Sequence, residues 1–290
     1  MGTLIAMAYP TALYAKAADH TYVMCGTGGK AWSCWGGKSG GTQIRKGSGS
    51  TGRADKIAQP DEKAGIKCYL INGVCHQAAN RILLCAEITV RGARGYSVSE
   101  ALFGTYGRVG VWPCRSPFNQ YPGITGDLPE CEPAAIKGTL QAPEAQPLSM
   151  ADKLDSQYIK GVLKLYGEAQ TMFKAKAAAP DEAEDFHIRL FMYMAEFNLA
   201  SRLDRKLSNR IKRLRVKTER SRLKLESAFA RDEMPPDEFV KAFNKATIDF
   251  QDEMANAMKP EQYESLFDLK PGEKVILADP DIVKNALVAP

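Results

Sequence analysis

Through the first 131 residues the hydrophobic positions come in short runs divided by glycine, and beyond residue 150 they recur at helical spacing. His20-Thr-Tyr-Val-Met24, Ile66-Lys-Cys-Tyr-Leu-Ile71 and Glu87-Ile-Thr-Val90 have the β-branched and aromatic character of short strands. Before them, Thr3 to Ala15 is mostly apolar but interrupted by Pro10, and reads as a short helix or arm leading into the strand at His20. Ala15-Lys-Ala17 resembles a small-residue cleavage site, so residues 1–17 also read as a signal remnant, although the basic region that opens a secretory signal is missing. The glycine-rich stretch from Gly26 to Gly52 predicts tight hairpins or a loop that lines a cleft.

Residues 132–150 are rich in Pro, Ala and Gln, as a linker is. Glycine then becomes scarce. Leu154, Tyr158, Val162, Leu163, Tyr166 and Met172 predict a helix over 152–179. Pro180-Asp-Glu182 carries the signature of a helix start and opens a very long helix reaching Ala230. In its second half Leu207, Ile211, Leu214 and Leu225 follow an imperfect heptad seam. Met234-Pro-Pro-Asp237 breaks the chain and starts a helix to Met258, Lys259-Pro-Glu261 begins a short last turn, and Val275-Ile-Leu277 reads as a strand. The expected fold class is α+β, with a Cys- and Gly-rich domain at 18–132, a linker at 133–150, an all-α hairpin or coiled-coil region at 151–270 and a tail at 271–290.

Composition narrows the functional classes. Hydrophobic residues make up 44% and charged residues 25%, normal for a soluble globular chain. The longest apolar runs fall short of a transmembrane helix. A net charge of +5 is too small to imply a nucleic-acid binder. Arg202 to Lys224 concentrates eleven basic residues, a stripe that suits nucleic acid, an anionic surface or an acidic partner. Base-stacking aromatics are absent from it. The expectation is therefore a solvated helix, a dimerisation arm or a partner-binding stalk within 181–258, with nucleic acid not expected.

The seven cysteines, Cys25, Cys34, Cys68, Cys75, Cys85, Cys114 and Cys131, all lie in the first 131 residues. Cys114 and Cys131 flank a Pro/Gly-rich loop and are placed to pair, and an odd count leaves one thiol over if the other six do. Secreted or periplasmic and cytoplasmic locations both stay open. With no C-x-x-C pair a structural zinc site is not expected, and no phosphate-binding glycine motif is present. No metal or cofactor is implied.

The chemistry-bearing segment is Tyr69 to Leu83. Asn72-Gly73 punctuates an apolar run, and Cys75 then opens a helix-competent stretch with Ala78, Ala79, Ile82 and Leu83 as its buried face. Unpaired amides and the positive end of the helix dipole favour a thiolate at such a position, and the same amides can hold an oxyanion. Of the three histidines, His76 follows Cys75 directly, so its side chain diverges by about 100 degrees on a helix and suits substrate contact better than proton removal. His187 lies in the helical region, and His20, at the start of a strand, is the expected base.

A histidine on a strand followed later by a cysteine opening a helix resembles circularly permuted NlpC/P60-type proteins, which share a papain-like core. Asp19-His20-Thr-Tyr-Val23 is similar to the first motif and Asn72-Gly-Val-Cys-His-Gln77 to the second. The resemblance covers residues 19 to about 110. It implies a small antiparallel sheet with a nucleophile helix, and acyl chemistry at a thiol on a peptide, amide or other acyl substrate. Thr42 and Gln43 are only the right distance along the chain for the polar residue that orients the histidine. The expected site is then Cys75 and His20, with His76, Gln77, Trp35 and Arg94 toward substrate. A rival reading places the nucleophile at Cys34 within Ser33-Cys-Trp35, but Gly36 and Gly37 follow at once and glycine costs about 1 kcal/mol per helical position. The competing class is a non-enzymatic, disulfide-stabilised interaction module with a basic helical arm.

Overall fold

The computed structural model describes residues 2–11, 18–26, 29–33, 37–64, 70, 73–107, 150–175, 180–231 and 233–278. Four antiparallel strands, β1 (Gly2–Tyr9), β2 (His20–Cys25), β3 (Ala31–Trp32) and β4 (Thr42–Gly49), form one sheet in the order β3-β2-β1-β4. The expected N-terminal arm is therefore a central strand, and the sheet begins upstream of residue 18. The period-two pattern explains it: Leu4, Ala6 and Ala8 are buried while Ile5, Met7 and Tyr9 are half-buried on the reverse face. The glycine-rich stretch likewise supplies β3 and β4 rather than a cleft-lining loop, and Gly41, at φ +81 against the Ala8 carbonyl, has no room for a side chain.

Two helices, α1 (Thr51–Ala64) and α2 (Cys75–Leu83), cover one face of the sheet. Ala54 and Ala58 of α1 and Ala79, Ile82 and Leu83 of α2 share a core with Leu4, Ala6, Ala8, Val23 and Trp32. Glu87–Val90, expected as a strand, is irregular: Glu87 is left-handed at φ 53, and the Val90 amide donates to Asn80 Oδ1 at 2.9 Å instead of to a ladder. The run 66–71 lies outside the described residues except for Leu70.

The chain then forms α3 (Tyr96–Phe103) and, after residue 150, α4 (Met150–Ala175), α5 (Pro180–Leu199), α6 (Arg205–Ala230), α7 (Pro236–Ala257) and α8 (Pro260–Phe267). The helix expected over 181–230 is broken, because Ala200 takes φ 46 and the Asp204 carboxylate caps α6 by accepting from the Leu207 amide at 2.8 Å. Val275–Leu277 is not a strand in a sheet; the Ile276 carbonyl accepts one bond from the Ala18 amide at 3.1 Å.

α3 joins the two halves. Tyr96 belongs to the sheet core, whereas Val98, Leu102 and Phe103 lie in a larger core with Tyr166, Phe191, Phe243, Leu266 and Val275. The end of α3 is capped from α6: Arg215, fully buried, donates to the carbonyls of Ala101 and Leu102 at 2.7 and 2.9 Å. Arg215 and Arg222 both pair with Glu219, Arg222 also pairs with Glu226, and its guanidinium sits 5.3 Å from the Phe103 ring. Two arginines of the basic stretch thus face the core, neutralised by acids one turn away. No helix among the described residues is long and apolar enough to cross a membrane.

Candidate functional site

Cys75 is the first residue of α2, where the sequence placed it. The turn into the helix depends on Gly73, whose φ of +129 and contact with the Gln77 side chain exclude a Cβ. Gln77 reaches back so that its Oε1 accepts from the Val74 amide at 3.0 Å, satisfying a backbone group at the helix entry. Its Nε2 donates to Ser99 Oγ at 3.2 Å and to the Gly104 carbonyl at 3.1 Å. Gln77 is fully buried, and its amide cross-links α2 to the middle of α3 and to the cap at its C-terminal end.

The Cys75 thiol is free and buried. Its sulfur lies 3.8 Å from the Asp19 carbonyl and beside Thr21. Burial pushes the thiol up, and this outweighs the Thr21 backbone and hydroxyl and the amides of His76 and Cys75, all of which favour the thiolate. The helix start supplies the expected donors, yet desolvation of the charge wins over them.

Strand alternation decides where His20 goes. Thr21 touches Cys75 and so faces α2; His20 and Tyr22, its neighbours on either side, point to the reverse face of the sheet. There the His20 ring lies 4.9 Å from the ring of Tyr9, its cross-strand partner, and stacks on Tyr22 at 6.5 Å. Its Nε2 is 3.2 Å from Ser33 Oγ. Burial lowers His20 to about 4, opposed by a hydrogen bond to the Gly37 backbone. His20 and Thr21 are adjacent on β2, so the imidazole and the thiol lie at the same end of that strand, with the ring turned toward Tyr9 and Tyr22.

His76 is fully buried. Its Nε2 donates to the Asp19 carbonyl at 3.1 Å, and its Nδ1 lies 2.8 Å from Ser99 Oγ, whose hydroxyl also reaches the Tyr96 carbonyl at 2.8 Å. Burial lowers it to about 3, against the Asp19 bond that raises it and alongside the His20 charge that lowers it further. Both nitrogens are spent on the protein. Arg94 is exposed, and its backbone holds Asp19 through paired bonds of 2.9 and 3.0 Å. Arg91 lies across the Tyr158 ring at 4.7 Å and pairs with Asp155, which fixes it to α4. Trp35, Cys34, Cys68, Cys114 and Cys131 lie outside the described residues. Thr42 and Gln43 are on β4, separated from His20 by β1. His187 is buried beside Phe186 in the helical core.

Cys85 is disulfide-bonded, and its partner is neither Cys25 nor Cys75, which are in no disulfide. Among the described residues no cluster of three metal-ligating side chains occurs. Sequence reasoning missed Thr21 and Ser99. Alternation along 20–25 signals the first as the residue facing α2, whereas nothing local marks the second. In comparisons with known proteins no family model matches the chain, and no curated protein or solved structure matches it.

Proposed function

We propose that the chain performs thiol acyl chemistry at Cys75, hydrolysing an amide or ester or moving its acyl group to an amine. One observation carries this reading: a cysteine outside any disulfide opens α2, so its sulfur sits at the first amides of the helix, beside Thr21 and 3.8 Å from the Asp19 carbonyl. Donors so placed stabilise a thiolate, and after attack on a carbonyl carbon they are available to the oxyanion. A helix opening with its nucleophile against a small antiparallel sheet is also what a papain-like core requires, and α6 and α7 supply the helical hairpin that accompanies it.

In the described arrangement the site is at rest, with a protonated thiol and two neutral imidazoles. Turnover needs a proton acceptor at Cys75, and His20, one residue from Thr21, is the proposed one once its ring leaves Ser33 and Tyr9. The test is mass-spectrometric mapping of cysteine labelling by a mild electrophile in the native protein between pH 5 and 9. Labelling concentrated on Cys75 and slowed by His20→Ala supports the reading; a Cys75 that labels only after denaturation overturns it.

A second reading, a binding module without catalysis, is favoured by a different observation. The polar atoms of His76 and Gln77 are consumed by Asp19, Ser99, Val74 and Gly104, which is how residues that hold a fold together behave. It predicts the silent thiol.

A further inference from the structure

The basic stretch of α6 resolves into two faces. Ile211, Arg215, Thr218, Arg222 and Glu226 are buried. Lys206, Arg210, Arg213, Lys217, Arg220 and Lys224 are all exposed and recur at alternating four- and three-residue steps. That spacing holds six cations on one line along the helix, about 27 Å long at a rise of about 1.5 Å per residue. Asn209 and Ser221 are exposed along its margins. Among the described residues, Glu253 of α7 pairs with Lys217, and Asp249 adds a weaker attraction. Arg210 donates to the Asn256 carbonyl at 3.2 Å.

We propose that this face binds the phosphate backbone of double-stranded nucleic acid, independently of any chemistry at Cys75. Charge complementarity selects the occupant. A duplex carries about one negative charge per 1.7 Å of axis, so a straight row of cations meets phosphate along its whole length. Lys, Arg, Ser and Asn are the side chains that contact phosphate oxygens. Other polyanions fit less well. No aromatic residue lies between Arg205 and Leu225 to stack on unpaired bases. Among the described residues the exposed large hydrophobic is Leu154, on α4, so no apolar anchor for a lipid surface accompanies the stripe. An acidic helix pairing with α6 would need an apolar seam, and Leu207 and Ile211 already face the core.

The experiment is fluorescence anisotropy of the full chain with a labelled random-sequence duplex of about 20 base pairs, between roughly 50 and 200 mM salt. With all six cations engaged, log affinity falls against log salt with a slope of about −5. Arg213→Gln with Lys224→Gln makes the slope shallower by about 2, and Lys206→Gln alone by about 1. Lys241→Gln with Lys245→Gln removes the same charge from exposed positions on α7 and leaves the slope unchanged. No binding at the lowest salt, equal losses in the α6 and α7 pairs, or tighter binding to vesicles of phosphatidylcholine and phosphatidylserine than to the duplex overturns the proposal.

Discussion

The Nε2 of His76 donates to the carbonyl oxygen of Asp19 at 3.1 Å, and this bond ties the first turn of α2 to the entry of β2. Ser99 holds the other nitrogen at 2.8 Å, so one imidazole links the sheet, α2 and α3. The same contacts limit what the site can do, because both ring nitrogens of the histidine nearest Cys75 in sequence are engaged by Asp19 and Ser99.

That arrangement sets a pH dependence. His76 and His20 are lowered to about 3 and about 4 from an ordinary value of 6.5, so below pH 6.5 the unfolded chain binds protons that the folded chain refuses. Stability is complete above pH 6.5 and is lost as pH falls toward 4, by a few kcal/mol in all. Urea titrations at pH 7.5 and 5 measure the loss. His76→Gln lowers stability at pH 7.5 but reduces the difference between the two pH values.

Thr21→Val tests the donors at the thiol. The substitution keeps the shape and removes a buried hydroxyl that lies beside the sulfur and has no hydrogen-bond partner in the described arrangement. Once the thiolate forms, the hydroxyl can turn to it, and a hydrogen bond to a charged group contributes about 1.5–3 kcal/mol, so in Thr21→Val labelling of Cys75 at fixed pH slows about tenfold or more while the fold is retained. Unchanged labelling, read by intact mass, shows that the hydroxyl does not act on the sulfur.

Arg215→Met removes the guanidinium that caps α3 and takes from Glu219 one of the two arginines that pair with it. Breaking a buried ion pair on one side costs about 3–5 kcal/mol. The denaturation midpoint should drop accordingly. Replacing Glu219 by Gln in the same chain should recover part of the loss, since it removes a buried charge short of one partner.

Asp204→Ala tests the break between α5 and α6. The carboxylate holds the Leu207 amide at 2.8 Å, and losing such a cap costs about 1 kcal/mol. Asp204→Asn, which keeps an acceptor oxygen, should cost only a fraction of that. Thermal unfolding of both variants by circular dichroism measures the difference.

Local pattern alone determined much of this protein. The period-two run at 20–25, the glycine turn before Cys75, the proline-started helices and the cysteine at a helix opening all act through neighbouring backbone, and each stands where its residues place it. Tertiary structure decided the rest. Gly2–Tyr9 became a central strand because two other strands pair with it, and a short apolar run carries no mark of its partners. Arg215 and Arg222 turned inward because α3 presents bare carbonyls and Phe103 to them, across more than a hundred residues of chain. His20 and Cys75 are each legible as reactive types. Which face of β2 each one meets depends on where α2 lies on the sheet, and long-range packing fixes that rather than any residue beside them.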